Sequence, residues 1–354
     1  MRLSSLLLAA AVVTLVSSTG AQTPAGAPDG YKLLRTEKVG GAGNWDYVYA
    51  DAANRRLYIP RGNRITIFDL DTLKPAGEIP DTARVHGVAV DPLSHHAFCS
   101  SNPITMWDTQ TMKVIKTIDV QGSPDGILFD PASKKVLILS HSTPNVTAIN
   151  AADGSIAGTI DLGGEPEEAA TDGKGHVYID LENKDKVAVV DMTTLKLTTT
   201  YDLAGKGGGP AGLAMDADNH ILFAACHDPA TCVVLNADTG SILATLPIGQ
   251  GVDAAEFNPA SKEAFISTGD GILTVIKENS PTEFAVEQSV QTKRGARTST
   301  LDTKTGNIYL ITADYVTPAS QSASTQTTTP PARPARRGRG QMVPDSFSIL
   351  VVGK

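Results

Sequence analysis

Residues 65–79 read ITIFDLDTLKPAGEI, and 104–118 read ITMWDTQTMKVIKTI. Residues 187–201 repeat the pattern as VAVVDMTTLKLTTTY, and VTAINAADGSIAGTI (146–160) and CVVLNADTGSILATL (232–246) vary it. Each has an alternating apolar run, an Asp or Asn that opens a turn by accepting nearby backbone amides, and a second alternating run. Upstream of each hairpin lies a short apolar strand closing on Asp51, Asp91, Asp130, Asp172, Asp216, Asn258 or Asp302. The successive spacings are 40, 39, 42, 44, 42 and 44 residues. A period near forty with antiparallel hairpins predicts one four-stranded sheet per repeat, and hence an all-β, seven-bladed β-propeller. A solenoid does not accommodate strands of this antiparallel kind.

The chain ends bear on closure. The seventh repeat has strands at 297–301 and 307–312, then a third only at SFSILVVGK (346–354). At the other end YKLLRTEKVGG (31–41) is similar to MKVIKTIDVQG (112–122), a fourth strand with no repeat before it. The N-terminal strand is therefore expected to complete the last blade, three strands plus one, leaving no open sheet edge in the ring. The expected domain is 30–354, preceded by a linker at 22–29. Residues 317–345 interrupt the last blade with a Pro-, Ser-, Thr- and Arg-rich stretch too poor in apolar groups to form a core, and they read as a disordered insert.

The 354 residues carry 41% hydrophobic and 19% charged side chains, enough apolar matter for a core. Residues 1–21 read as an export signal: Arg2, an apolar run from Leu6 to Val16, and small residues at Thr19–Ala21. An uncleaved anchor is the alternative. No other segment is long and apolar enough to span a bilayer, so the mature chain is expected to be periplasmic or secreted. The formal charge of −8 argues against nucleic-acid binding. The three cysteines cannot all pair within the chain. Cys226 and Cys232 flank a short loop and either bridge it or stand as two thiols, depending on strand register. Neither a nucleophile elbow, a Walker loop, a zincin helix nor a haem-attachment motif occurs, and GKGGGPAG (205–212) reads as an inter-blade turn.

The ID/VD-x-x-T hairpins, with the links IDVQGSPDGILFD (118–130) and IDLGGEPEEAATD (160–172), resemble the YVTN-type repeats of the YncE-like propeller family within the WD40/YVTN superfamily. The resemblance covers nearly all of the chain after the export signal. It implies the propeller fold and says little of activity. Pro124-Asp125-Gly126 follows the family pattern, whereas Pro166-Glu167-Glu168 and Pro210-Ala211-Gly212 depart from it.

Counting five residues back from each strand-closing Asp or Asn, to where the first strands begin at one channel mouth, gives Asp46, His86, Asp125, Glu167, Ala211, Asp253 and Arg297. Converging acids without counter-charge repel, which a divalent cation or a basic ligand relieves. Asp46, His86, Asp125 and Asp253 are the candidate metal ligands; alternatively, each acid caps a turn. Arg61, His141 and His227 fall near the same face at the ends of second strands, as a second candidate rim. Asp69, Asp108 and Asp191 read as turn formers on the opposite face. Arg333, Arg336, Arg337 and Arg339 of the insert are expected beside the mouth; setting them and Arg2 aside takes the formal −8 to −13, so the insert reads either as a salt-sensitive lid or as a solvated linker.

Two functions follow as expectations. One is an exported, monomeric scaffold that binds an unknown protein or small ligand at the mouth. The other is a metal-dependent hydrolase or lactonase-like enzyme, with the ring holding a cation that activates water and Arg297 facing an anionic group.

Overall fold

The computed structural model describes residues 30–316 and 341–354. The segments expected to form an export signal and a linker, and residues 317–340 of the insert with its arginines, lie outside them. Each blade is a four-stranded antiparallel meander. Blade 1 comprises Tyr49–Asp51, Arg56–Pro60, Ile65–Asp69 and Pro75–Ile79. Blades 2 to 6 follow with first strands Val88–Asp91, Pro124–Asp130, Pro166–Thr171, Pro210–Asp216 and Val252–Asn258. Blade 7 holds Ser299–Asp302, Asn307–Thr312 and Ser348–Gly353, and its outer strand is the N-terminal Lys32–Lys38, paired antiparallel to Ser348–Gly353. A three-residue 3₁₀ turn, Glu182–Lys184, is the one helical element among the described residues, and no helix there is long and apolar enough to cross a membrane.

The alternation read from the hairpins becomes packing between blades. Seven apolar clusters each join two neighbouring sheets. One of them closes the ring, where Leu57, Ile59 and Phe68 of blade 1 meet Tyr309, Ile311 and Ile349 of blade 7. Burial on this scale is the main stabilising term of the fold.

The turn formers behave as their chemistry requires. Asp69 Oδ1 accepts from the Thr72 amide (2.8 Å) and hydroxyl (2.7 Å), and Asp108 and Asp191 accept equivalent amides. The strand-closing acids also tie blades together. Thr171 donates to Asp130 (2.6 Å) between blades 4 and 3, and Arg55 of blade 1 grips Asp302 of blade 7 through two 2.8 Å bonds.

The last five residues of the 317–345 stretch are ordered. Gln341–Met342 pairs with Tyr315–Val316, and the Val343 amide donates to the Asp314 carbonyl (2.8 Å). Apolar Met342 packs against the cluster around Trp45, which anchors the segment.

Register decides the cysteines. Cys226 lies opposite Thr231, and Cys232 opposite Ala225, so the two side chains leave opposite faces of their sheet. Cys226 packs toward blade 4 and Cys232 toward blade 6. All three cysteines are buried free thiols, and burial pushes each thiol up in pKa.

Candidate functional site: a charged chain at one channel mouth

The first strands line a central channel, and the ring residues stand at its mouth. Asp46, His86, Asp125 and Glu167 lie on successive blades, and the structure brings them together with His141. His86 Nδ1 is 2.8 Å from Asp46 Oδ2 and 3.1 Å from Asp125 Oδ1. His141 Nε2 is 3.2 Å from Asp125 Oδ2 and 3.5 Å from Glu167 Oε1. Asp125 thus offers one oxygen to each imidazole, and the groups alternate acid and base across four blades. Tyr47 completes the chain: its hydroxyl donates to Glu167 Oε2 (3.1 Å) and approaches the Glu167 carbonyl (3.3 Å).

Close approach of the blades makes this convergence geometrically possible. A Cβ on Gly126 would lie 2.4 Å from the Glu167 carbonyl oxygen, and one on Gly87 would lie 2.8 Å from Ile127 Cγ2. The glycines after Asp125 and His86 therefore let blades 2, 3 and 4 crowd together at the mouth.

The carboxylates govern the imidazoles. Hydrogen bonds to Asp125 and then Asp46 raise His86 to about 10, against the cost of burial. The bond to Glu167 raises His141 to about 9. The flanking carboxylates thus favour the imidazolium form of both rings, which pairs each with its acids. Glu167 (12% exposed) and Asp125 (16%) are recessed, His86 (31%) is half-buried, and His141 (37%) is exposed.

The other candidates go elsewhere. Asp253 pairs with Arg297 (2.8 Å), so this acid meets a guanidinium and stands outside the two converging groups of ligand atoms found among the described residues. Arg61 is not a rim group. It is buried, donates to the carbonyls of Gly40, Gly41 and Gly43, and lies 3.7 Å over the Phe347 ring. Desolvation lowers it to about 10. Its role is to clamp the loop that leads to Trp45 and Asp46. His227 takes the blade 5 position equivalent to His141, but sits over Gly209 with its amide on the Gly208 and Gly209 carbonyls, and the ring position of its own blade is Ala211.

Three further polar groups were not legible as site residues. Tyr47 is one. Tyr47 borders a channel cavity of about 520 Å³ whose lining includes Glu168 and Glu256. Glu168 Oε2 accepts from the Leu213 (2.6 Å) and Ala255 (3.1 Å) amides, joining the first strands of blades 4, 5 and 6. Burial, then Glu256, raises the Glu168 carboxyl well above the ordinary range, and burial pushes Glu256 up to about 8. The available signal was an acid inside a strand whose neighbours are apolar, as in VDAAEFN (252–258).

Fold and mouth together define a seven-bladed β-propeller with a charged channel mouth. No family model matches the chain, and no curated protein matches it. Among solved structures it is similar to a chain of one titled "Crystal Structure of Mitotic Checkpoint Complex", at 12% identity and a TM-score of 0.69, over 86% of this chain and 96% of that one. A likeness at that identity is one of fold.

Proposed function

We propose that this propeller is an exported binding protein of the YncE-like kind that takes a small, charged ligand into the mouth bounded by Asp46, His86, Asp125, His141 and Glu167. The carrying observation is the alternating chain itself. Asp125 and Glu167 are recessed and already ion-paired, with His141 exposed beside them, which suits a compact ligand that reaches in and exchanges partners with them better than a flat protein face. Export rests on the residues 1–21, and the family on the repeat hairpins.

The hydrolytic alternative draws on the same ligand atoms, since a cation held there would polarise water. The binding reading needs no catalytic set and is preferred.

The test is a thermal-shift panel of amino acids, dicarboxylates, amino sugars and sugar acids, run in EDTA on wild type and on Asp125→Asn. Compounds that raise the wild-type melting point and leave the variant unmoved support the reading. A panel without such compounds, or hits that survive in Asp125→Asn, contradicts it. Turnover of lactones or esters after metal loading, lost in the same variant, would favour the alternative.

A further inference from the structure

One nitrogen of each imidazole in the chain faces two carboxylate oxygens. His86 Nδ1 has Asp46 at 2.8 Å and Asp125 at 3.1 Å; His141 Nε2 has Asp125 at 3.2 Å and Glu167 at 3.5 Å. One N–H proton lies along one line and serves one acceptor well. A cation between the three atoms engages all of them at once. The ligand atoms of each trio lie within 4.8 Å of one another, the convergence a shared ion requires. Outer support is present: Tyr47 holds Glu167 Oε2, leaving Oε1 for the trio, in the way second-shell donors orient metal ligands. The missing Cβ atoms of Gly87 and Gly126 give the approach that brings three blades to one point.

We propose that the mouth holds two divalent cations of the zinc or manganese class, one on Asp46, His86 and Asp125, the other on Asp125, His141 and Glu167, with Asp125 as the bridging carboxylate. One imidazole nitrogen and two carboxylate oxygens per ion is a donor set that suits these metals, and three protein ligands leave positions open for water or a ligand. This goes beyond a single ion on the ring acids, because it brings in His141 and Glu167 and leaves out Asp253. The inference rests on the reading of this mouth as the binding site and gives that site its chemistry.

The experiment uses the full mature chain, stripped with EDTA, equilibrated against Zn²⁺ or Mn²⁺ by dialysis and assayed for bound metal. Wild type and Asp253→Asn are expected to hold two ions per chain, His86→Gln and His141→Gln one each, and Asp125→Asn neither. An ion kept by Asp125→Asn, both lost from one histidine variant, or fewer than two in the wild type overturns the proposal. A second measurement needs no variant: electron paramagnetic resonance of Mn²⁺-loaded wild type is expected to show an exchange-coupled pair, and isolated six-line signals alone would overturn the bridge. If no ion binds yet the EDTA panel still gives mouth-dependent shifts, this inference falls and the binding reading stands. If the ions bind as described and no compound shifts the protein, the binding reading falls alone.

Discussion

Tyr47 and Glu167 meet across the channel. The phenol leaves the segment before blade 1 and donates to the carboxylate of blade 4 at 3.1 Å, past two intervening blades. This bond borders the cavity and orients the acid that receives His141. Tyr47→Phe removes one donor from a recessed carboxylate. The expected cost is about 1 kcal/mol in chemical denaturation, with an unchanged circular dichroism spectrum. A variant as stable as wild type would show that the bond holds nothing.

Arg61 separates a structural role from a binding one. Its guanidinium satisfies three loop carbonyls and stacks on Phe347. Arg61→Ala is expected to destabilise by about 3 kcal/mol, from lost hydrogen bonds and stacking, while compounds from the panel still shift its melting point. Arg61→Lys restores only part, because an ammonium cannot reproduce the planar fork. Loss of ligand shifts in a folded Arg61→Lys protein would return this residue to the rim.

Glu256 predicts an alkaline weakness. Its folded pKa, about 8, lies above the unfolded carboxyl value, so the folded state holds the proton more tightly. Stability is therefore undiminished below about pH 4 and falls as pH rises toward 8. Glu256→Gln is expected to melt level with wild type at pH 4 and above it at pH 9, with Glu168 the acid facing it from blade 4. Parallel melting curves for the two proteins across that range would contradict the assignment.

The Arg55–Asp302 clasp predicts the acid limb. Burial raises the Asp302 carboxyl, but Arg55 and the Thr305 hydroxyl outweigh it and hold the acid below its usual range. A depressed pKa gives stability that is present above the unfolded value, about 3.9, and is lost as pH falls through the folded one. Arg55→Met leaves a fully buried carboxylate without its cation and is expected to cost about 3 kcal/mol at pH 7, the gap to wild type closing as pH falls through the depressed pKa of Asp302. A gap that persists in acid would mean that packing, not charge, is what Arg55 supplies.

The ring of seven positions was legible because every first strand closes on, or one residue before, an Asp or Asn turn former, so counting back from Asp130 or Asp172 lands on equivalent backbone. The chain within that ring was only half legible. His141 and Glu167 appeared in two separate rims, and nothing in their spacing shows that Asp125 reaches both. Tyr47 reads as an ordinary aromatic beside Asp46 until its hydroxyl is seen to span the channel. Arg61 misleads because the carbonyls that bind it come from a loop some twenty residues earlier in the chain. Asp253 and Arg297 were placed on neighbouring blades, but their mutual pairing depends on side-chain reach. The cysteines turned on a one-residue register that hairpin length alone does not set.

The central claim is that ligand enters at the Asp46–Glu167 mouth. Hydrogen exchange with and without the compound that shifts melting most tests it directly. Protection is expected in residues 44–48, 84–88, 123–127 and 165–169, with the opposite hairpins after Asp69, Asp108 and Asp191 unchanged. Protection at those hairpins, with the mouth segments unchanged, would contradict the account.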